Sequence, residues 1–186
     1  MALLYVDQQS GSADDTRTKA NNTQALPWLT AHRGISGIPT REVGGTAASV
    51  AAAECAAAGD TLYLLQPTVR YESSYSPAAP AVSYQPVNAG SSGSPIIIRN
   101  FPGHTVTLAR TTEAPAANDN AHLIGGTSAF VQWVNFTLAG DVSALSGTGG
   151  GNALYDGITI NRGTQTGGPS GERDGIRFEG VSNGTV

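Results

Sequence analysis

The side chains best suited to chemistry are concentrated near the end of the chain. Asp156 and Asp174 each precede Gly-Ile in two similar segments, YDGITI (155–160) and RDGIRF (173–178). Stacked copies of one unit would bring the two carboxylates side by side, as glycoside hydrolysis requires of its acid and its base or nucleophile. Acids of this kind are also typical of solvated turns with ion pairs to arginines, and we expect that role first. The weak catalytic candidates are Asp156, Glu172 and Asp174.

Arginines and aromatic side chains are the candidates for binding carbohydrate. The arginines lie among the same acids, and aromatic rings offer flat faces for sugar rings. Trp133 lies between Val131 and Val134, which favours packing in the core over exposure. The carbohydrate-binding candidates are Arg162, Arg173, Arg177 and Trp133, with Tyr71, Tyr75 and Tyr84 as further rings.

The sequence gives little support for a metal site, a disulfide or a cofactor. The three histidines, His32, His104 and His122, are far apart in sequence and form no HxH or HExxH motif, so we expect no metal site. Cys55 is the only cysteine, which excludes an internal disulfide, and its alanine-rich surroundings predict a buried side chain. No other cofactor is expected.

Composition and charge exclude several classes of protein. Charged residues make up 13% of the 186 residues, with 10 basic against 14 acidic side chains and a net charge of -4. No basic stripe is present, so nucleic acid is not an expected partner. No apolar run approaches the roughly 18 residues of a membrane span, and the first residues lack the basic start of a secretory signal peptide. We therefore expect neither a membrane partner nor a signal peptide in this sequence.

The elements that must position these side chains are short strands. Thr46 and Gly59 bracket an alanine-rich run that predicts a helix of about three turns. From residue 60 onward, short β-rich runs alternate with Gly, Ser, Pro and Asn. The predicted strands are 61–65, 95–99, 105–109, 122–124, 130–139, 157–161 and 175–181.

The pattern of strands leaves two architectures open. No long helix lies between the strands, which argues against a doubly wound α/β fold. An antiparallel sandwich and a solenoid of stacked coils remain. The separation from Ile96 to Leu123 equals that from Val131 to Ile158 and falls in the range of about 20–50 residues typical of repeat proteins, which favours the solenoid.

Two sequence segments carry a family resemblance. They are GDTLYL (59–64) and SSGSPIIIRNFPGHTVTL (91–108). They resemble the opening coils of right-handed parallel β-helix proteins of the pectate-lyase-like superfamily, where a capping helix precedes the first strand and a Pro-Gly turn follows the next. Residues 131–138 and 174–186 look like later coils. The resemblance implies an all-β fold, a right-handed parallel β-helix (solenoid) with an N-terminal capping α-helix.

The resemblance also implies an organisation of the chain. Residues 1–59 would hold an N-terminal strand, a loop and the capping helix, and residues 60–186 the first four to five coils, incomplete at the C-terminus. The stretch 71–90 departs from the pattern, and we expect it to form a loop on the surface of the coils. An unfinished last coil implies a fragment of a longer protein or an end covered by another chain.

Three functions follow from this resemblance. The first is a virion protein like a phage tailspike or tail fibre, which binds bacterial surface polysaccharide, with or without degrading it, commonly as a homotrimer. The second is a secreted bacterial polysaccharide lyase or glycoside hydrolase, for which catalytic residues could lie beyond Val186 and a calcium ion would be implied only for a lyase. The third is a non-catalytic structural or decoration protein. The implied location is the virion or the extracellular space.

Overall fold

The computed structural model describes residues 1–65, 70–73, 82–110, 122–139, 143–148, 152–161 and 176–179. Within these ranges the chain is mostly β-strand, with few and short helices. The strands are β1 (Leu3–Val6), β2 (Thr61–Leu64), β3 (Tyr71–Ser73), β4 (Val82–Tyr84), β5 (Ile96–Asn100), β6 (Val106–Arg110), β7 (His122–Gly125), β8 (Val131–Val134), β9 (Phe136–Ala139), β10 (Ser143–Thr148), β11 (Leu154–Asp156), β12 (Thr159–Asn161) and β13 (Ile176–Glu179). The helices are α1 (Ala31–Ile35) and three 3-10 turns at Lys19–Asn21, Pro39–Arg41 and Ala52–Glu54.

The strands form three sheets, and all pairings between them are parallel. The first sheet has the order β1-β2-β5-β8-β11, the second β3-β6-β9-β12 and the third β4-β7-β10-β13. None of them closes into a barrel. From β2 onward, three successive strands enter the first, second and third sheets, and the next three strands repeat this order. We call each set of three strands a round. Each strand pairs with the corresponding strand of the preceding round.

This topology corrects the repeat inferred from spacing. Ile96 lies in the first sheet and Leu123 in the third, so their separation is not the repeat. Ile96 is instead in register with Val131 of the next round. Equal spacing between apolar residues did not identify the repeat, because the connections between strands differ in length from one round to the next.

Apolar side chains form rows on the buried faces of the sheets, and each row runs from strand to strand. In the first sheet one such row is completely buried, and each member pairs with the next in register. The row consists of Leu4, Leu62, Ile98, Trp133 and Tyr155. Each buried side chain of this size contributes about 1.5–3 kcal/mol, so the row is a main source of stability. Alternation in the strands turns the intervening residues outward.

The run 130–139, predicted as one strand, is two strands that meet at a corner. Asn135 separates β8 from β9 and adopts a left-handed backbone conformation (φ 61°), which asparagine tolerates better than most residues. Gly157 has the same φ of 61° at the next corner, between β11 and β12. The Asn135 amide N–H donates to the Asp156 carbonyl at 2.8 Å, which ties the two corners together.

The predicted capping α-helix over 46–59 is wrong. This segment contains only the 3-10 turn Ala52–Glu54, and the single described α-helix is the five-residue α1. The high helix propensity of alanine is overridden because backbone groups of this run form hydrogen bonds with other parts of the chain. The Val50 and Ala56 N–H groups donate to the carbonyls of Gly37 and Gly34, both at distances under 3 Å.

An irregular N-terminal segment, residues 7–59, covers the outer edge of β1 instead. The Tyr5 N–H donates to Asn22 Oδ1 at 2.7 Å, and its carbonyl accepts from the Trp28 N–H at 2.9 Å and from Asn22 Nδ2 at 2.8 Å. The edge of the first sheet is thereby satisfied by side chain and backbone, as exposed sheet edges must be.

Buried Arg33 holds that segment together. Its guanidinium donates to the carbonyls of Asp15, Glu54 and Arg17 at 2.7–2.9 Å. The group also lies over the Trp28 ring, 4.4 Å from its centroid. A cation is tolerated here because its donors are satisfied and an aromatic face covers it.

The stretch 71–90, predicted as a surface loop, contributes two strands. β3 and β4 both lie within it, and Tyr71 and Tyr84 are fully buried. The Tyr71 hydroxyl donates to the Leu65 carbonyl at 2.7 Å. Tyr71 therefore packs in the core with its polar end satisfied by backbone, whereas the buried Tyr84 hydroxyl has no hydrogen-bond partner among the described residues.

Candidate functional site

The outer face of the first sheet carries a row of side chains that differ in chemistry. The row follows the register across the five strands, so its members are neighbours in space. Four of them are half-buried, and Asp156 is exposed. We call this set the outer row: Tyr5, Tyr63, Arg99, Val134 and Asp156. At about 4.8 Å per strand it runs about 19 Å across the sheet.

Aromatic rings are grouped at one end of the outer row. Tyr5 and Tyr63 are stacked, with ring centroids 5.7 Å apart and planes inclined by 22°. Phe101 meets Tyr63 edge-on at 5.5 Å, and His104 meets Phe101 edge-on at 5.3 Å. All four rings are half-buried, so part of each remains open to solvent.

Local backbone structure fixes this aromatic group. The Phe101 N–H donates to the Leu64 carbonyl at 2.8 Å, which continues the ladder of the sheet. The chain then turns at Pro102 and Gly103, where Gly103 has φ 82°, and the His104 N–H closes the turn on the Phe101 carbonyl at 2.9 Å. Proline followed by a glycine of positive φ is typical of a type II turn, and the sequence predicted a Pro-Gly turn here.

Arg99 is the cation of the outer row. Its guanidinium carbon lies 6.0 Å from the centroid of the Tyr63 ring, at the outer limit of a cation–π contact. Its Nε is buried and has no hydrogen-bond partner among the described residues. A buried donor without a partner costs stability.

The outer row combines the groups that recognise a sugar chain. Half-exposed aromatic rings offer apolar surface to the C–H groups of a sugar, the arginine donates to hydroxyl or carboxylate oxygens, and the carboxylate of Asp156 accepts from hydroxyls. Among the described residues the row has one carboxylate, whereas hydrolysis of a glycosidic bond normally requires two. The groups described in the row are suited to binding.

The structure describes only part of the predicted site. Asp156 ends β11 and belongs to the outer row. Arg177 lies in β13, in register with Ser146, and nothing is described of its side chain. Five candidates lie outside the described residues: Tyr75, Arg162, Glu172, Arg173 and Asp174.

The strands near the two Asp-Gly segments lie in different sheets. β12, which follows Asp156-Gly157, belongs to the second sheet, and β13 belongs to the third. Asp174 and Gly175 lie outside the described residues, so the pairing of Asp156 with Asp174 stays a prediction.

Trp133 is not a surface for sugar stacking. It is 1% exposed, lies in the inward row of the first sheet and packs against Phe136 at 6.2 Å between ring centroids. The tyrosines that do lie on the outer face, Tyr5 and Tyr63, were missed. Their signal was strict alternation with buried leucines in LLYV and TLYL, which places both outward.

A second polar cluster surrounds His32, which is fully buried. Its Nδ1 lies 3.0 Å from Ser36 Oγ and its Nε2 lies 2.9 Å from Ser73 Oγ. Ser36 Oγ donates to the His32 carbonyl and Ser73 Oγ donates to the Arg41 carbonyl, so each hydroxyl lies between a backbone carbonyl and a ring nitrogen of His32. Burial lowers the pKa of His32 to about 3, so the ring is neutral.

Glu42 completes this cluster. Its carboxyl oxygens accept from Gln8 Nε2 at 2.7 Å and from the His32 N–H at 3.0 Å. Burial raises the pKa of Glu42 to about 8, although these hydrogen bonds oppose the shift. Complete burial leaves no room for a substrate, so the cluster serves the structure of the N-terminal segment.

Metal-ligand clusters and membrane-spanning helices are absent from the described ranges. No group of three or more His, Cys, Asp or Glu side chains there could hold a metal ion. None of the helices described is long and apolar enough to cross a membrane. Comparisons of the chain with protein-family models, with curated proteins and with solved structures found no match.

Proposed function

We propose that this chain belongs to a virion protein of the tailspike or tail-fibre kind, a parallel β-helix that binds bacterial surface polysaccharide on the outer face of its first sheet. The rotation of the chain through three parallel sheets supports the β-helix, since stacked coils require that topology. The resemblance of residues 59–64 and 91–108 to opening coils of such proteins supports the superfamily. Function must be argued from the site, because one fold hosts many activities.

One observation carries the polysaccharide-binding proposal. The half-exposed rings of Tyr5, Tyr63 and Phe101 form one continuous group beside Arg99 on a sheet face. A polymer lying across the strands would meet apolar ring surface first and then the guanidinium. Because Asp156 stands alone in the outer row, we assign binding to this face and no bond cleavage.

The test is binding of purified bacterial capsule and O-antigen polysaccharides to immobilised protein. Tyr63→Leu keeps an apolar side chain of similar bulk and removes the ring. Arg99→Gln removes the cation. Each substitution is expected to weaken binding about tenfold or more, which corresponds to about 1.4 kcal/mol. Thr107→Ala, an outward position of the second sheet, is the matched control and should bind as the unaltered protein does.

Two results would overturn the proposal. One is that no polysaccharide of a broad panel binds at concentrations up to the millimolar range. The other is binding that Tyr63→Leu and Arg99→Gln leave unchanged, since it would place the site elsewhere. Thermal unfolding of each variant is measured as a control, to separate a loss of binding from a loss of the fold.

A further inference from the structure

Two tyrosine rings of the outer row are held together by the register of their strands. Tyr5 of β1 and Tyr63 of β2 are direct partners in a parallel pair, and each alternates with buried neighbours in its own strand. Their ring centroids are 5.7 Å apart and the ring planes are inclined by 22°. Since neighbouring strands lie about 4.8 Å apart, this stacking follows from the backbone.

Contacts on both sides fix the positions of the two rings. β1 is paired with β2 along its whole length. At the other edge of β1, the N–H and the carbonyl of Tyr5 both bond to the side-chain amide of Asn22. Phe101 meets the Tyr63 ring edge-on at 5.5 Å. The rings therefore remain neighbours while their side chains rotate, and such proximity makes a reaction between them effectively unimolecular.

Exposure distinguishes these two rings from the other described tyrosines. Tyr5 and Tyr63 are half-buried, so solvent reaches part of each ring. The other three are at most 3% exposed: Tyr71, Tyr84 and Tyr155. An oxidant in solution therefore reaches the stacked pair and not the buried tyrosines, and water can accept the phenolic proton that each oxidised ring of the pair loses.

We propose that Tyr5 and Tyr63 form a dityrosine cross-link when the protein meets a one-electron oxidant of the kind formed by a haem peroxidase and hydrogen peroxide. Each phenol gives one electron to the oxidant and one proton to water, which leaves two phenoxyl radicals. These couple through a new C–C bond between one Cε atom of each ring. The hydrogen on each bonded Cε then moves to the phenolic oxygen, which restores both aromatic rings. The two electrons and two protons convert one hydrogen peroxide to two water molecules.

The cross-link fastens the N-terminal segment to the first sheet. It joins positions 5 and 63, so the whole segment 7–59 lies inside the loop that it closes. A covalent closure of this length restricts the unfolded chain, and the midpoint of thermal unfolding should rise by about 5 °C or more. Coupling requires only the proximity of the two rings, so this inference does not rest on the proposed polysaccharide binding.

The experiment treats the full chain at low concentration with a haem peroxidase and hydrogen peroxide. Dityrosine is detected by its blue fluorescence and by mass spectrometry, in which the monomer should lose two hydrogen atoms. Trypsin should then release residues 1–17 joined to residues 42–70. Tyr5→Phe and Tyr63→Phe, which remove only a hydroxyl, should each abolish the joined peptide. Tyr155→Phe is the matched change at a buried tyrosine and should leave its yield unchanged.

A dilution series tests the inference without any variant. Coupling within one chain should give the same yield of joined peptide at every protein concentration. A yield that falls on dilution, or dityrosine found only in covalent dimers, would overturn the inference. So would absence of the joined peptide, or its survival in Tyr5→Phe. Among the treated proteins, the rise in the unfolding midpoint should be absent from Tyr5→Phe, and equal midpoints would overturn the stabilising role.

Discussion

His32 and Glu42 are neighbouring buried groups whose ionisation opposes folding from opposite sides of the pH scale. The folded pKa of Glu42 is raised to about 8 from an ordinary value of 4.5, so the folded state retains a proton that the unfolded state loses. Stability from this group is present below about pH 4.5 and is lost as the pH rises toward 8. His32, with a folded pKa of about 3 against 6.5, removes stability as the pH falls below 6.5.

Glu42→Gln should therefore change the pH dependence of stability. Between about pH 5 and 8 the variant is expected to gain on the unaltered protein by up to about 1.4 kcal/mol per pH unit, because its side chain does not titrate. Urea unfolding at several pH values measures the difference. A constant offset from the lost hydrogen-bonding geometry does not affect the slope. Parallel stability curves for the two proteins would contradict the assignment.

At the scale of elements, corner residues decide where one strand ends and the next begins. A β-carbon built on Gly157 would approach Asn135 Oδ1 far inside contact distance, and the backbone there has φ 61°. The backbone conformation of the corner between β11 and β12 therefore favours glycine, and an added β-carbon would displace the Asn135 side-chain amide. By contrast, Gly93 has open space around its Cα and no positive φ.

Gly157→Ala should destabilise the chain by about 1–2 kcal/mol, the cost of a left-handed alanine. Gly93→Ala should change the free energy of unfolding by less than about 0.5 kcal/mol. Chemical denaturation of the two variants side by side measures the contrast. Equal effects would show that the corner can relax.

The stability of the N-terminal segment depends on buried Arg33. Replacing it by leucine removes the described donor of the Asp15 and Glu54 carbonyls, whereas the Arg17 carbonyl still accepts from Trp28 Nε1–H, and we expect a loss of about 3 kcal/mol. Hydrogen exchange at the Ala56 amide should accelerate, since that amide bonds to Gly34 next to Arg33. Arg70→Leu, which removes the partly exposed pair with Glu72, should cost less than about 1 kcal/mol.

At the scale of the whole molecule, we propose that the chain assembles into a homotrimer, as the resemblance implies. Proteins of the resembled kind are commonly homotrimers, so sedimentation equilibrium is expected to give three times the mass of one chain over the micromolar range. A constant mass of one chain over that range would contradict the trimer while leaving polysaccharide binding to its own test.

Some features could be predicted from the sequence because they depend on neighbours along the chain. The alternation of leucine and tyrosine in 61–64 and the run of isoleucines at 96–98 predicted strands that the structure contains. The Pro102-Gly103 turn followed from the allowed backbone angles of those two residues. Cys55 was expected to be buried and is. Asp156 was singled out and lies exposed in the outer row.

Other features required the tertiary structure. The alanine run at 46–59 favours helix locally, but its backbone groups bond to Gly34 and Gly37, which are distant in sequence. The tyrosines at 71 and 84 pack inside because β3 and β4 find partners in later rounds of the chain. Likewise, only the register of parallel strands brings Tyr5, Tyr63 and Arg99 together. Local sequence determines which segments become strands and turns, whereas long-range pairing decides which side chains share a surface.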